Sequence, residues 1–99
     1  MAGFGLSGSQ RLTADSVIGS SGKPIRVFSS TLHSKAAAGK IAFYDGTSTG
    51  GDLMVWQVGA AASSSSTQNF EGGLRFPNGC YADIDANVSA AVIEFAVEA

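Results

Sequence analysis

Apolar residues in this chain come in short runs of strand type separated by turn residues, and no segment holds a helical period over three turns. That pattern restricts the chain to an all-β architecture. The runs fall at 25–32, 40–44, 53–58, 67–70, 74–76, 80–85 and 90–97, the spacing of a sandwich or barrel. Pro24 stands where a strand start tolerates proline, and Ile93, Phe95 and Val97 alternate with Glu94, Ala96 and Glu98, so the last strand buries one face. The expected fold is a single antiparallel β-sandwich, jelly-roll or Ig-like, of about seven strands over 23–99. Ninety-nine residues allow one domain and not two.

Turn chemistry places the reversals. Asp45-Gly46 and Gly50-Gly51 supply the positive-φ positions of a loop joining runs 40–44 and 53–58, and Asn78-Gly79 marks a turn before 80–85. The segment 59–66 is a low-complexity Ala/Ser linker, and Glu71-Gly72-Gly73 separates two further runs. Residues 1–22 show no sustained pattern because glycine interrupts each candidate element. They read as an extended N-terminal arm whose Phe4, Leu6, Leu12, Val17 and Ile18 contact a neighbouring chain. About a third of the chain is glycine, serine or threonine, and fifteen of its apolar residues are alanine, so the core is thin and gains from completion by neighbours.

Charge and targeting signals exclude several classes. A net charge of -2 offers no basic excess to neutralise phosphates, so nucleic acid is not an expected partner. No apolar run is long enough for a membrane helix, and the N-terminus lacks a signal-peptide pattern. One cysteine forms neither an internal disulfide nor a metal cage, and synthesis in a reducing cytoplasm is expected.

Candidate chemistry is sparse. Gly3-Phe4-Gly5-Leu6-Ser7-Gly8 spells the dinucleotide fingerprint without its flanking strand and helix. Cys80 and His33 are the only residues of their types and would need Asp83 or Asp85 to orient them as a nucleophilic pair, but Cys80 alternates with Ala82 and Ile84 as a buried apolar side chain does. Asp83 and Asp85 project to one side, with Asp45 and Asp52 bracketing the hairpin loop, but no calcium-loop spelling accompanies them. Asn87-Val88-Ser89 is a glycosylation sequon without a secretory signal. Tyr44, Trp56, Phe70 and Tyr81 are the residues from which a sugar-stacking platform would be built. Run 53–58 is apolar on both faces, with Met54, Trp56 and Val58 on one and Leu53 and Val55 on the other, so Met54 and Trp56 are expected at a subunit interface. No catalytic set, metal or cofactor is expected.

Two segments, Gly39-Lys40-Ile41-Ala42-Phe43-Tyr44-Asp45-Gly46-Thr47 and Glu71-Gly72-Gly73-Leu74-Arg75-Phe76-Pro77-Asn78-Gly79-Cys80-Tyr81-Ala82, resemble a group of small tailed-bacteriophage proteins. In these a strand ending in Y-D-G-T, a second strand and a G-G-[IL]-x-F-x-x-G-[LC]-Y motif recur in that order, and the resemblance spans about 24–97. It implies a β-sandwich virion component: a capsid decoration (cement) protein, or alternatively a tail or fibre part acting as a carbohydrate-binding host-adhesion module. It also implies a trimer, a major capsid protein or other virion protein as partner, and a location in the virion after synthesis in the host bacterial cytoplasm. No active-site residue comes with it. The shared glycines make turns, and Phe43, Phe76 and Tyr81 are expected to fill the sandwich.

Overall fold

The computed structural model describes residues 6–57 and 61–98, and the side chains of 6, 7, 56 and 57 are not among those described. Eight strands follow in chain order, β1 (Leu6–Leu12), β2 (Ser16–Ile18), β3 (Ile25–Ser34), β4 (Ile41–Asp45), β5 (Asp52–Gln57), β6 (Ser65–Phe76), β7 (Cys80–Ile84) and β8 (Val88–Val97). Among the described residues there is no helix. The strands form two antiparallel sheets, the first ordered β1-β8-β3-β6 and the second β2-β7-β4-β5. Residues of both sheets share one buried cluster, the arrangement of a sandwich.

Alternation builds the core. Ile25, Val27 and Leu32 of β3 and Ile93, Phe95 and Val97 of β8 meet Ile41 and Phe43 of β4 and Cys80 and Ala82 of β7. Phe43 is fully buried, packing edge-on against Phe70 with ring centroids 6.4 Å apart and tilted against Phe76 at 6.2 Å. Such aromatic pairs add to the apolar burial itself. Phe76 is likewise buried, whereas Tyr81, expected inside, points outward: it stands between Cys80 and Ala82, which both face the core. Period two leaves the intervening side chain no other direction.

The N-terminal segment differs from the sequence expectation. β1 pairs with β8 along its whole length, from Leu6 opposite Val97 to Leu12 opposite Ala91, and β2 pairs with β7 from Ser16 opposite Ala82 to Ile18 opposite Cys80. Leu12 and Ile18 are buried in the chain's own core and are not surface contacts for a neighbour. Residues 6–18 are therefore an edge strand of each sheet, not an extended arm. Gln10 joins the two edges: its Nε2 donates to the Val17 carbonyl at 3.0 Å, and its Oε1 accepts from the Gly19 amide at 2.9 Å.

Runs 67–70 and 74–76 are not separate strands. Both belong to β6, which follows β3 from His33 opposite Ser65 to Ile25 opposite Phe76 with a large bulge between Asn69 and Leu74. Gly72 and Gly73 take φ of 75° and 83° there, values that favour glycine. A Cβ at Gly73 would in addition run into the Arg26 side chain. The two glycines thus bend a strand; they do not end it.

Candidate functional site

The hairpin β4–β5 forms with Asp45 opposite Asp52; of the loop glycines expected at positive φ, Gly46 takes 145° but Gly50 and Gly51 do not, and a Cβ at Gly51 would instead run into the Asp45 carbonyl. The end of the hairpin is fastened to the next turn, where the Asn78 amide donates to Asp45 Oδ1 at 2.8 Å and Asn78 Nδ2 donates to Oδ2 at 3.0 Å. The Gly46 amide donates to the Gly79 carbonyl at 2.9 Å, and Gly79 has φ of 105°. This fastening holds β4 and β7 in register, so the row they carry is well defined.

That row is the main feature of the outer face of the second sheet. Val17 lies opposite Tyr81, Tyr81 opposite Tyr44, and Tyr44 opposite Leu53, so one apolar and aromatic line crosses all four strands. Val17, Tyr44 and Tyr81 are half-buried, and Leu53 is 49% exposed. The β4–β5 ladder shifts between Phe43 and Tyr44, leaving Met54 as the extra residue, 40% exposed. The bulge overturns the simple alternation expected for this run: Val55 turns to the core beside Phe43, while Leu53 goes outward with Tyr44. Trp56 is set by its backbone opposite Ala42.

Beside this row lies an acidic group. Asp83 and Asp85 line a hollow of about 230 Å³ together with Lys40, Ile41 and Ala42. Asp15, in the β1–β2 turn, accepts from the Ile84 amide at 2.9 Å and so stands next to Asp83. Desolvation, followed by the Asp15 and Asp85 charges, raises the Asp83 carboxyl above its usual range. Desolvation also raises the Tyr81 phenol, with Asp15 and then Asp83 adding to it. Among the described residues no three His, Cys, Asp or Glu side chains are grouped to hold a metal ion.

The other candidates separate. Cys80 is fully buried, and desolvation with a smaller contribution from Asp45 pushes its thiol far up, which removes the thiolate that nucleophilic chemistry uses. His33 lies exposed on the other sheet, its Nδ1 2.8 Å from Ser65 Oγ, so the Cys80/His33 pair is not assembled. Gly3-Phe4-Gly5 lies outside the described residues, and its continuation enters a strand rather than a helix. Of the residues expected to contact a partner, Met54 is exposed and Val17 is on the outer row, Leu12 and Ile18 are core, Leu6 is known by its backbone in β1, and Phe4 and the Trp56 side chain lie outside the described residues.

The first sheet carries its own exposed apolar residues, Phe28 at 37% and Val92 at 38%, among Thr31, Thr67 and paired charges. Phe28 sits at the β3 bulge, which no local sequence signal announces. Strict alternation would put Leu53 on the same face as Val55, and only the Met54 bulge separates them. No protein-family model matches this chain, and no curated protein is significantly similar to it.

Proposed function

We propose that this chain is a non-enzymatic structural protein of a tailed-phage virion, a capsid decoration (cement) protein that binds the shell surface as a trimer. The observation that carries this reading is the strand order. With β1-β8-β3-β6 facing β2-β7-β4-β5, we read the fold as an eight-stranded jelly roll, an architecture used by viral capsid and lectin domains. The inference from fold to role is an analogy. The residue resemblance over 24–97 and the exposed Leu53 and Met54 on an edge strand support it. Small subunits repeated at symmetric sites on a shell sum many weak contacts, so a modest surface on each suffices.

Quantitative mass spectrometry of purified virions tests this reading. A copy number that matches the shell lattice is expected, together with rebinding of the purified protein to stripped particles. A copy number matching the tail, or absence from virions, overturns it. The opposed pair Tyr44 and Tyr81 favours a second reading, a tail or fibre module that stacks host sugars, for which a glycan array gives the test.

A further inference from the structure

Charge in this protein is divided by residue type between the sheets. All five aspartates belong to the second sheet or the turns at its ends: Asp15 before β2, Asp45 in β4, Asp52 in β5, Asp83 in β7 and Asp85 just after it. The three glutamates and three arginines belong to the first: Arg11 in β1, Arg26 in β3, Glu71 and Arg75 in β6, Glu94 in β8 and Glu98 just after it. The first sheet compensates its own charge. Arg75 Nε donates to Glu98 Oε2 at 2.8 Å, Arg26 lies 3.7 Å from the same carboxylate, and Ser29 Oγ donates to Glu94 at 2.6 Å.

The second sheet does so only in part: Lys40 lines a hollow with Asp83 and Asp85, and Lys35 lies with Asp15 and Asp85, but the five aspartates outnumber the three lysines of the chain. Asp15, Asp83 and Asp85 crowd one side of the Val17-Tyr81-Tyr44-Leu53 row, and Asp52 is exposed beyond its other side. Among the described residues neither the Tyr44 nor the Tyr81 hydroxyl has a hydrogen-bond partner. Tyrosine and methionine are residues that protein interfaces favour at their centre. Aromatic rings edged by carboxylates attract cations twice, once through the ring quadrupole and once through direct charge.

We propose that the outer face of the second sheet docks an arginine- and lysine-bearing protein surface, seating a guanidinium or ammonium over Tyr44 and Tyr81 and pairing it with Asp83 and Asp85. In the decoration reading that surface belongs to the shell protein; the identity of the partner rests on that reading, but the chemistry of the face does not. Phosphate-bearing partners are repelled by the same aspartates. A second copy offers Arg26 and Arg75 poorly, since both already serve Glu98, and its remaining cations, Arg11 and three lysines, are scattered over the chain. A sugar ring needs a stacking plane and hydroxyl partners, but the apolar strip extends on through Leu53 and Met54, which suits a side-chain surface better.

The test is a titration of the isotope-labelled full chain, followed by NMR, with a synthetic peptide alternating arginine and glycine and with its neutral citrulline counterpart. The arginine peptide should shift the amides of Val17, Tyr44, Leu53, Tyr81 and Asp83, and bind roughly tenfold more weakly when the salt is raised from about 0.05 to about 0.3 M. The double variant D83N/D85N, which keeps hydrogen-bonding oxygens at both positions, should bind roughly tenfold more weakly with an unchanged spectrum elsewhere. Tyr44→Ser should weaken binding at high salt as well. Shifts spread over the first sheet, equal binding of the citrulline peptide, or indifference to D83N/D85N overturns the proposal. So does maltohexaose acting on the same amides, which assigns the face to neutral glycans, or concentration-dependent shifts of the Tyr44, Tyr81 and Asp83 amides without peptide, which assigns the aromatic and acidic part of the face to a second copy. No particle enters the titration, so its failure leaves the decoration reading standing, and absence from virions leaves the titration valid.

Discussion

Ser30 sits in the interior of the first sheet, fully buried, with its hydroxyl unpaired among the described residues. An unsatisfied buried hydroxyl carries its desolvation cost without return. Ser30→Ala should therefore stabilise the protein by about 1 kcal/mol in urea unfolding, and a loss of stability would mean that the hydroxyl has a partner. Glu98 and Asp83 respond to acid in opposite senses. Arg75 holds the Glu98 carboxyl below its ordinary value, so its contribution is present above about 4.5 and lost as pH falls below it. Asp83 is raised, so the folded state takes up its proton more readily, and the penalty present at neutral pH is relieved on acidification. Thermal midpoints at neutral pH and near pH 3.5 should show a shallower acid loss for Arg75→Ala and, for Asp83→Asn, a gain at neutral pH that shrinks in acid. Equal slopes in all three proteins would refute the assignment. At this scale Cys80 was legible, because its alternation with Ala82 is local; the crowding of Asp15 on Asp83 was not, because it joins distant parts of the chain.

The strands differ in how far local chemistry reveals them. β3, β7 and β8 alternate, β4 is a short apolar run ending at Asp45-Gly46, and each lies at or near its expected position. β1 and β2 are short, polar and glycine-flanked, and their partners β8 and β7 lie toward the other end of the chain. Nothing local distinguishes such segments from an arm. Their removal gives a direct test: a chain lacking residues 1–18 loses Leu12, Ile18 and the Gln10 bridge, and should show no cooperative unfolding by circular dichroism. A truncated domain that still melts cooperatively would restore the arm. The bulges at Gly72-Gly73 and at Met54 have the same non-local origin, since each is defined only against a partner strand. They decide that β6 is one strand and that Leu53 faces out.

Across the whole molecule the sheets have different roles. The first is electrically self-compensated, whereas the second exposes tyrosine, leucine and methionine among aspartates that outnumber the chain's lysines. The proposed trimer draws on the exposed apolar pair of β5, and the double variant Leu53→Glu with Met54→Glu should then sediment as a monomer where the unaltered protein associates. Equal sedimentation of the two proteins would remove β5 from the assembly. The all-β class and the positions of most reversals were determined by sequence alone, because alternation and turn chemistry act between near neighbours. Strand order, the incorporation of the N-terminal segment and the composition of the exposed face were decided by tertiary structure, because they depend on which distant strands pair and where a bulge changes the side-chain direction.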